Sequence, residues 1–170
     1  MISKFDEVAA TYQRIRPQYP PPLFDALFAM LPSDRPPRVV EVGPGTGQAT
    51  AALLARGAQV TAVELGPRMA AYLSNIYARQ SNLRVVNAAF EDAVLPEQAW
   101  DLVFAATSYH WVRDDARIAR PGALLSQGGM LAVVDTIQVR SAADRRFFRT
   151  RDTDLPALVP GPALGALTRG

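Results

Sequence analysis

Acids and glycines stand at the ends of apolar runs in this chain, at spacings that suit the holding of a nucleoside. Glu41-Val-Gly43-Pro44-Gly45-Thr46-Gly47 follows the β-branched pair Val39-Val40 and leads into a helix-like run from Gln48 to Arg56. Glycines at 43, 45 and 47 let the backbone turn tightly and approach a ligand with no Cβ in the way. A dinucleotide loop is written G-x-G-x-x-G, with the pyrophosphate on the helix N-terminus. Here the third glycine comes one position early, and Gln48 stands where that pattern puts its last glycine. A Glu41 carboxylate pointing into the pocket would repel a pyrophosphate but welcome a cation or an ammonium group. Both features leave a nicotinamide-dependent oxidoreductase as the weaker alternative.

Further along, Glu64 ends the run Ala58 to Glu64 and lies 21 residues after Gly43. That is close to the ~20 expected of an acid on ribose hydroxyls, where two carboxylate oxygens face a vicinal diol. A solvated acid at a strand end is the plainer alternative. Phe90-Glu91-Asp92 follows the run Leu83 to Asn87, and Thr107-Ser108-Tyr109-His110-Trp111-Val112 follows Trp100 to Ala106. Ligands of open α/β sheets sit outside the carboxyl ends of the strands, so this last loop should border the reacting group. His110 is the only histidine. An unperturbed imidazole titrates near ~6.5, which suits a general base, while packing against Trp111 is its structural alternative.

The stretch E-x-G-x-G-x-G at 41–47 resembles motif one of the class I S-adenosylmethionine-dependent methyltransferases. That cofactor carries a sulfonium and an ammonium, both compatible with Glu41. Ser108-Tyr109-His110-Trp111 is similar to the Ser-x-His-Trp stretch of the branch that includes trans-aconitate methyltransferase. Phe5-Asp-Glu-Val-Ala-Ala-Thr-Tyr12-Gln-Arg-Ile-Arg16-Pro17-Gln-Tyr19-Pro20 resembles the leader of the same branch. The resemblance implies that Glu41, Gly43, Pro44, Gly45, Thr46 and Gly47 hold the methionine end of S-adenosylmethionine. Glu64 with Leu65 would hold the ribose. Asp92, or Glu91 one position away, would meet the adenine amine beside Phe90, with Ala105 also at the cofactor. It further implies a leader folded over the cleft, with Tyr12, Arg16 and Tyr19 near the donor or the substrate, and a substrate face made by Ser108, Tyr109 and Trp111. An arginine there suits a carboxylate, which matches its planar fork. Methyl transfer needs little beyond in-line positioning and desolvation, so His110 is expected to line the pocket before it is expected to act as a base. The implied activity is methylation of a small molecule at a carboxylate or hydroxyl oxygen. The alternative within the same resemblance is a non-catalytic cofactor-binding remnant.

To position these residues, the apolar patterns predict strands at 39–42, 58–64, 83–87, 100–106 and 128–135. Helices are predicted over 48–56 and from Pro67 to about Ala78, and another through Ala116 and Leu125 interrupted at Pro121-Gly122. Together they make an α/β, Rossmann-like, doubly wound and mainly parallel sheet in the order 3-2-1-4-5. Complete members of the family continue through another helix and two more strands, and only 35 residues follow Asp135. Those residues are arginine-rich, then rich in Pro, Gly, Ala and Leu, with no β-period pattern. The last two strands of the family fold are therefore expected to be missing, through a truncated or diverged C-terminus. The expected organisation is cap helices over 1–35, a cofactor-binding core over 36–140 and an irregular tail over 141–170.

Composition agrees with one soluble domain of 170 residues, 49% hydrophobic, able to bury a sizeable core. With no cysteine and one histidine, disulfides are excluded and no metal is expected. The formal net charge is only +2, and no dense basic patch with interleaved aromatics occurs, so no nucleic-acid partner is expected. No apolar run approaches a membrane span, so no membrane partner is expected and a cytoplasmic location is. An uncovered fifth strand would allow a weak homodimer through its edge, the alternative being a monomer.

Overall fold

In the computed structural model, residues 19–136 are described, and all fall within a unit bounded by Met1–Thr136. Tyr12, Arg16 and the expected tail lie outside the described residues. Five strands, β1 (Arg38–Val42), β2 (Gln59–Glu64), β3 (Leu83–Asn87), β4 (Trp100–Ala106) and β5 (Leu125–Val134), form one sheet in the order β3-β2-β1-β4-β5. Every described pairing is parallel. This is the order that the sequence predicts.

The register explains how the site is built. Val40 lies beside Thr61 and Val103, and Glu41 beside Ala62 and Phe104, so alternate β1 residues face opposite layers. On one face, α1 (Pro21–Phe28), α2 (Gln48–Ala55) and α3 (Pro67–Ile76) bury Phe24, Leu53 and Leu73 against Val39, Ala62 and Phe104. Phe24 is 1% exposed, so α1 packs into this core. Full burial of such a ring contributes roughly 2–3 kcal/mol. On the other face, Val40, Val42, Val63 and Val103 pack with Leu124 of α4 (Ala116–Leu124) and with Phe90 and Leu95 of the β3–β4 connection. Both faces of the central strands are thus covered, and their residues are buried almost without interruption.

Two boundaries differ from the sequence expectation. Helix α4 runs through Pro121 and Gly122 rather than breaking there. A proline in that position cannot donate to the carbonyl four residues back, Arg117 O. The Tyr109 hydroxyl donates to that oxygen at 2.5 Å instead, so the bond lost within the helix is replaced from outside it. Strand β5 begins at Leu125, ahead of Gly128. Its pairing jumps from Trp100↔Leu125 to Leu102↔Met130, with Gly128 at φ +80° in the excess segment. A Cβ on Gly129 would lie 2.7 Å from the Trp100 carbonyl oxygen. The glycine pair therefore forms a bulge within a strand, where the sequence suggests a turn before one.

Candidate functional site

A cavity of about 450 Å³ opens at the carboxyl ends of β1, β2 and β4, with Gly43, Glu64, Phe90, Glu91, Ser108 and Trp111 among its walls. Three glycines of the β1–α2 turn have positive φ: Gly43 at +64°, Gly45 at +58° and Gly47 at +87°. Their surroundings differ. A Cβ on Gly43 would meet Ser108 Cβ at 2.7 Å, and one on Gly47 would meet Leu73 Cδ1 at 2.7 Å, whereas one on Gly45 would meet nothing within 4 Å. Gly43 and Gly47 thus let the turn pack against the β4 loop and α3, while Gly45 faces open space that a ligand can approach. The Ser108 hydroxyl donates to Val42 O at 2.5 Å, which ties the β4 loop to the end of β1.

Glu64 stands at the cavity with both carboxylate oxygens anchored. Oε2 accepts the Gly45 N–H at 3.1 Å, and Oε1 accepts the Gly66 N–H at 2.9 Å. An ionised carboxylate offers about four lone-pair positions, so each anchored oxygen keeps acceptor capacity for a diol. Asn87 steadies this strand end by donating to Glu64 O at 2.8 Å and Leu65 O at 3.0 Å. Leu65 is itself 65% exposed and lines the cavity.

Of the two neighbouring acids, Glu91 lines the cavity with a side chain 10% exposed, while the Asp92 side chain is 65% exposed and turned outward. Of the pair, Glu91 is therefore the acid that faces the cavity. Arg113 lies 3.7 Å from Glu91 and 3.8 Å from Asp92. Phe90 is buried against the cavity, and Ala105 is buried in the core beneath it.

Glu41 faces away from this cavity. Because Val40 and Val42 face the layer containing Phe90, the intervening side chain turns to α2, where the Thr50 hydroxyl donates to its Oε2 at 2.7 Å. It is 2% exposed, and burial pushes its pKa up to about 7 against the Thr50 hydrogen bond. Beside it in the turn, buried Thr46 donates to Gln48 Oε1 at 3.0 Å, and Gln48 Nε2 is buried without a partner among the described residues. Gln48 is a residue that sequence reasoning used only to reject the dinucleotide pattern. Its unused donor is a buried polar feature of the loop. Pro44 is buried in the same turn.

The loop after β4 carries backbone strain. Thr107 has φ +55°, rare for a β-branched residue. The Tyr19 hydroxyl lies 3.3 Å from Thr107 Oγ1, which brings one expected cap residue to this loop. Trp111 lines the cavity though 77% exposed. His110 is exposed outside the lining and lies against the Trp111 ring, with centroids 5.1 Å apart. Arg117, which the sequence reading passed over, holds the loop from α4. It donates to Val112 O and His110 O, each at 3.0 Å, and pairs with Asp114 at 2.8 Å. No spacing rule could reveal it, since its targets are loop carbonyls. Among the described residues, no group of three or more His, Cys, Asp or Glu is placed to hold a metal ion.

The parallel sheet with order β3-β2-β1-β4-β5, its glycine turn and the acid ending β2 define a class I S-adenosylmethionine-dependent methyltransferase fold. Residues 40–133 match the family described as "Methyltransferase domain", and the chain belongs to that family. An uncharacterised methyltransferase of Mycobacterium tuberculosis is 34% identical over 134 residues, covering 79% of this chain and 52% of the relative. The trans-aconitate 2-methyltransferase of Methylobacterium radiotolerans is 35% identical over 112 residues, covering 63% of this chain and 41% of that protein. A putative type II methyltransferase structure from Anaeromyxobacter dehalogenans superposes with a TM-score of 0.61 at 29% identity, over 71% of this chain and 49% of that one. The chain spans about half the length of the curated relatives it matches first.

Proposed function

We propose that this chain binds S-adenosylmethionine in the cavity at the carboxyl ends of β1, β2 and β4 and methylates a small carboxylic acid. The observation that carries the reading is Glu64, anchored by Gly45 and Gly66 amides at the cavity wall next to the one turn glycine with open space above it. Bound there, the cofactor would supply an electrophilic methyl group on a sulfonium. Glu64 accepts hydrogen bonds from the ribose diol, and Glu91 accepts one from the adenine amine. Phe90 and Leu65 cover the apolar faces. Ser108 and Trp111 bound the space left for the acceptor, so that proximity carries the rate.

The position of His110 supports the acceptor class. Its ring lies outside the cavity lining, which favours an acceptor that needs no base. A carboxylate has no proton to lose and needs no base. The similarity to a trans-aconitate 2-methyltransferase supports the same class.

Calorimetric titration with S-adenosylmethionine and S-adenosylhomocysteine tests the cofactor reading. The wild type should bind both, and Glu64→Ala should bind them roughly tenfold more weakly, the worth of about one charge-assisted hydrogen bond. Equal affinity in the two proteins would remove Glu64 from the ribose, and absence of binding to the wild type would sink the cofactor reading. Methyl transfer to carboxylic acids but not to matched alcohols is expected. The reverse preference would overturn the acceptor class.

A further inference from the structure

A second cavity, of about 430 Å³, lies at the opposite end of the sheet, where β1, β2 and β3 begin. Arg38, Gln59, Thr61 and Arg84 line it. The register Arg38↔Gln59, Val40↔Thr61 and Thr61↔Arg84 puts these four side chains on one face of three adjacent strands. It is the face that elsewhere carries Val40, Val42, Val63 and Val103. A sheet face that is apolar along its centre therefore ends in two guanidiniums, an amide and a hydroxyl.

The charges there are not balanced within the described residues. Asp101 is the nearby acid, and Arg35 occupies both its oxygens at 2.7 Å while the Arg38 backbone N–H donates to one of them, also at 2.7 Å. The Arg38 guanidinium is left 3.9 Å from that carboxylate. Arg84 is exposed and has no acidic partner among the described residues. Asn82 spends its side-chain amide on Ala58 O at 2.9 Å. Thr61, by contrast, is 6% exposed and lines the cavity, and its hydroxyl has no hydrogen-bond partner among the described residues. Strands are spaced ~4.8 Å apart and residues rise ~3.3 Å along them, so Arg38 and Arg84, on either side of β2 and offset by two residues, have backbones ~12 Å apart. That separation lets two long side chains close on one compact anion between them.

We propose that this cavity is an anion site, separate from the methyl-donor cavity, for a phosphate group of a small molecule, gripped by Arg38 and Arg84 and oriented by the Thr61 hydroxyl. The proposal does not depend on the methyltransferase reading.

Titration of the 170-residue chain with inorganic phosphate, followed by amide chemical shifts, tests it. Saturable shifts are expected at Thr61 and Arg84, with none at Glu64 or Ser108. Sodium chloride of matched ionic strength should not reproduce them, because general screening does not saturate at one locus. Arg84→Gln, at an exposed position, should weaken the response roughly tenfold, and Thr61→Val should weaken it while leaving the spectrum folded. Shifts that chloride reproduces, or that persist unchanged in Arg84→Gln, would overturn the site. A response to a single-stranded oligonucleotide with none to phosphate would overturn the small-ligand assignment.

Discussion

Glu41 keeps its proton to a pH at which ordinary carboxyl groups have lost theirs. Its pKa is raised from 4.5 to about 7 because burial disfavours the charge more than Thr50 supports it. Between those values the folded chain holds a proton that the unfolded chain has released, so stability falls as pH rises. Below about 4.5 both forms are protonated, and above about 7 both are ionised. Glu41→Gln should flatten this slope, and should gain roughly 3 kcal/mol relative to the wild type between the ends of the window. Denaturant midpoints for both proteins at pH 4, 6 and 8 would check it, and parallel curves would reject the assignment. Gly43→Ala meets two penalties, a φ of +64° and a Cβ 2.7 Å from that of Ser108. A loss of about 1–3 kcal/mol is expected by thermal unfolding. The sequence exposed these positions as chemically special through residue type and spacing. It could not say which way Glu41 turns, because the parity of a five-residue strand is decided by what its valines pack against. Nor could spacing choose between Glu91 and Asp92, where one residue in a loop reverses which carboxylate meets the cavity.

At the level of elements, α4 and the loop after β4 are one unit. Pro121 frees the Arg117 carbonyl, Tyr109 fills it, and the same arginine's side chain holds the Val112 and His110 carbonyls. Tyr109→Phe should destabilise the chain by about 1–2 kcal/mol, because it leaves a carbonyl unpaired. Pro121→Ala restores a donor inside the helix, so the same tyrosine change in that background should be nearly silent. A double-mutant cycle measured by denaturant unfolding reads this directly, and additive effects would refute the coupling. Strands β1 and β2 were legible because β-branched runs bounded by glycine and proline have few other uses. Pro121 and Gly128-Gly129 misled for a shared reason. Breaker residues mark a missing bond or a positive φ, and a tertiary donor such as Tyr109 or a bulge such as that at Gly128 can accommodate either without ending the element.

Across the whole molecule, Asp101 joins the segment before β1 to the start of β4, 66 residues away from its Arg35 partner. Arg35 holds its carboxyl below the usual carboxylate range, helped by the Arg38 amide. A depressed pKa stabilises the fold above the unfolded value and is lost as pH falls, so Asp101→Asn should lower the melting temperature at pH 7 and narrow the gap near pH 3. A constant gap would argue against the linkage. The sheet order was legible from the order of strands, helices and acids. The two cation-rich strand starts were not, because Arg38 and Arg84 are 46 positions apart and only the register places them on one face.

The chain's two tryptophans stand at opposite poles of the sheet, Trp111 exposed beside one cavity and Trp100 buried beside the other. The molecule thus carries its own pair of optical gauges. With Trp111→Phe, emission would come from Trp100 alone and follow melting of the core. With Trp100→Phe, it would come from an indole in water at a cavity mouth, where a ligand's arrival shifts its colour before anything unfolds. Occupancy and integrity could then be read separately, without a label.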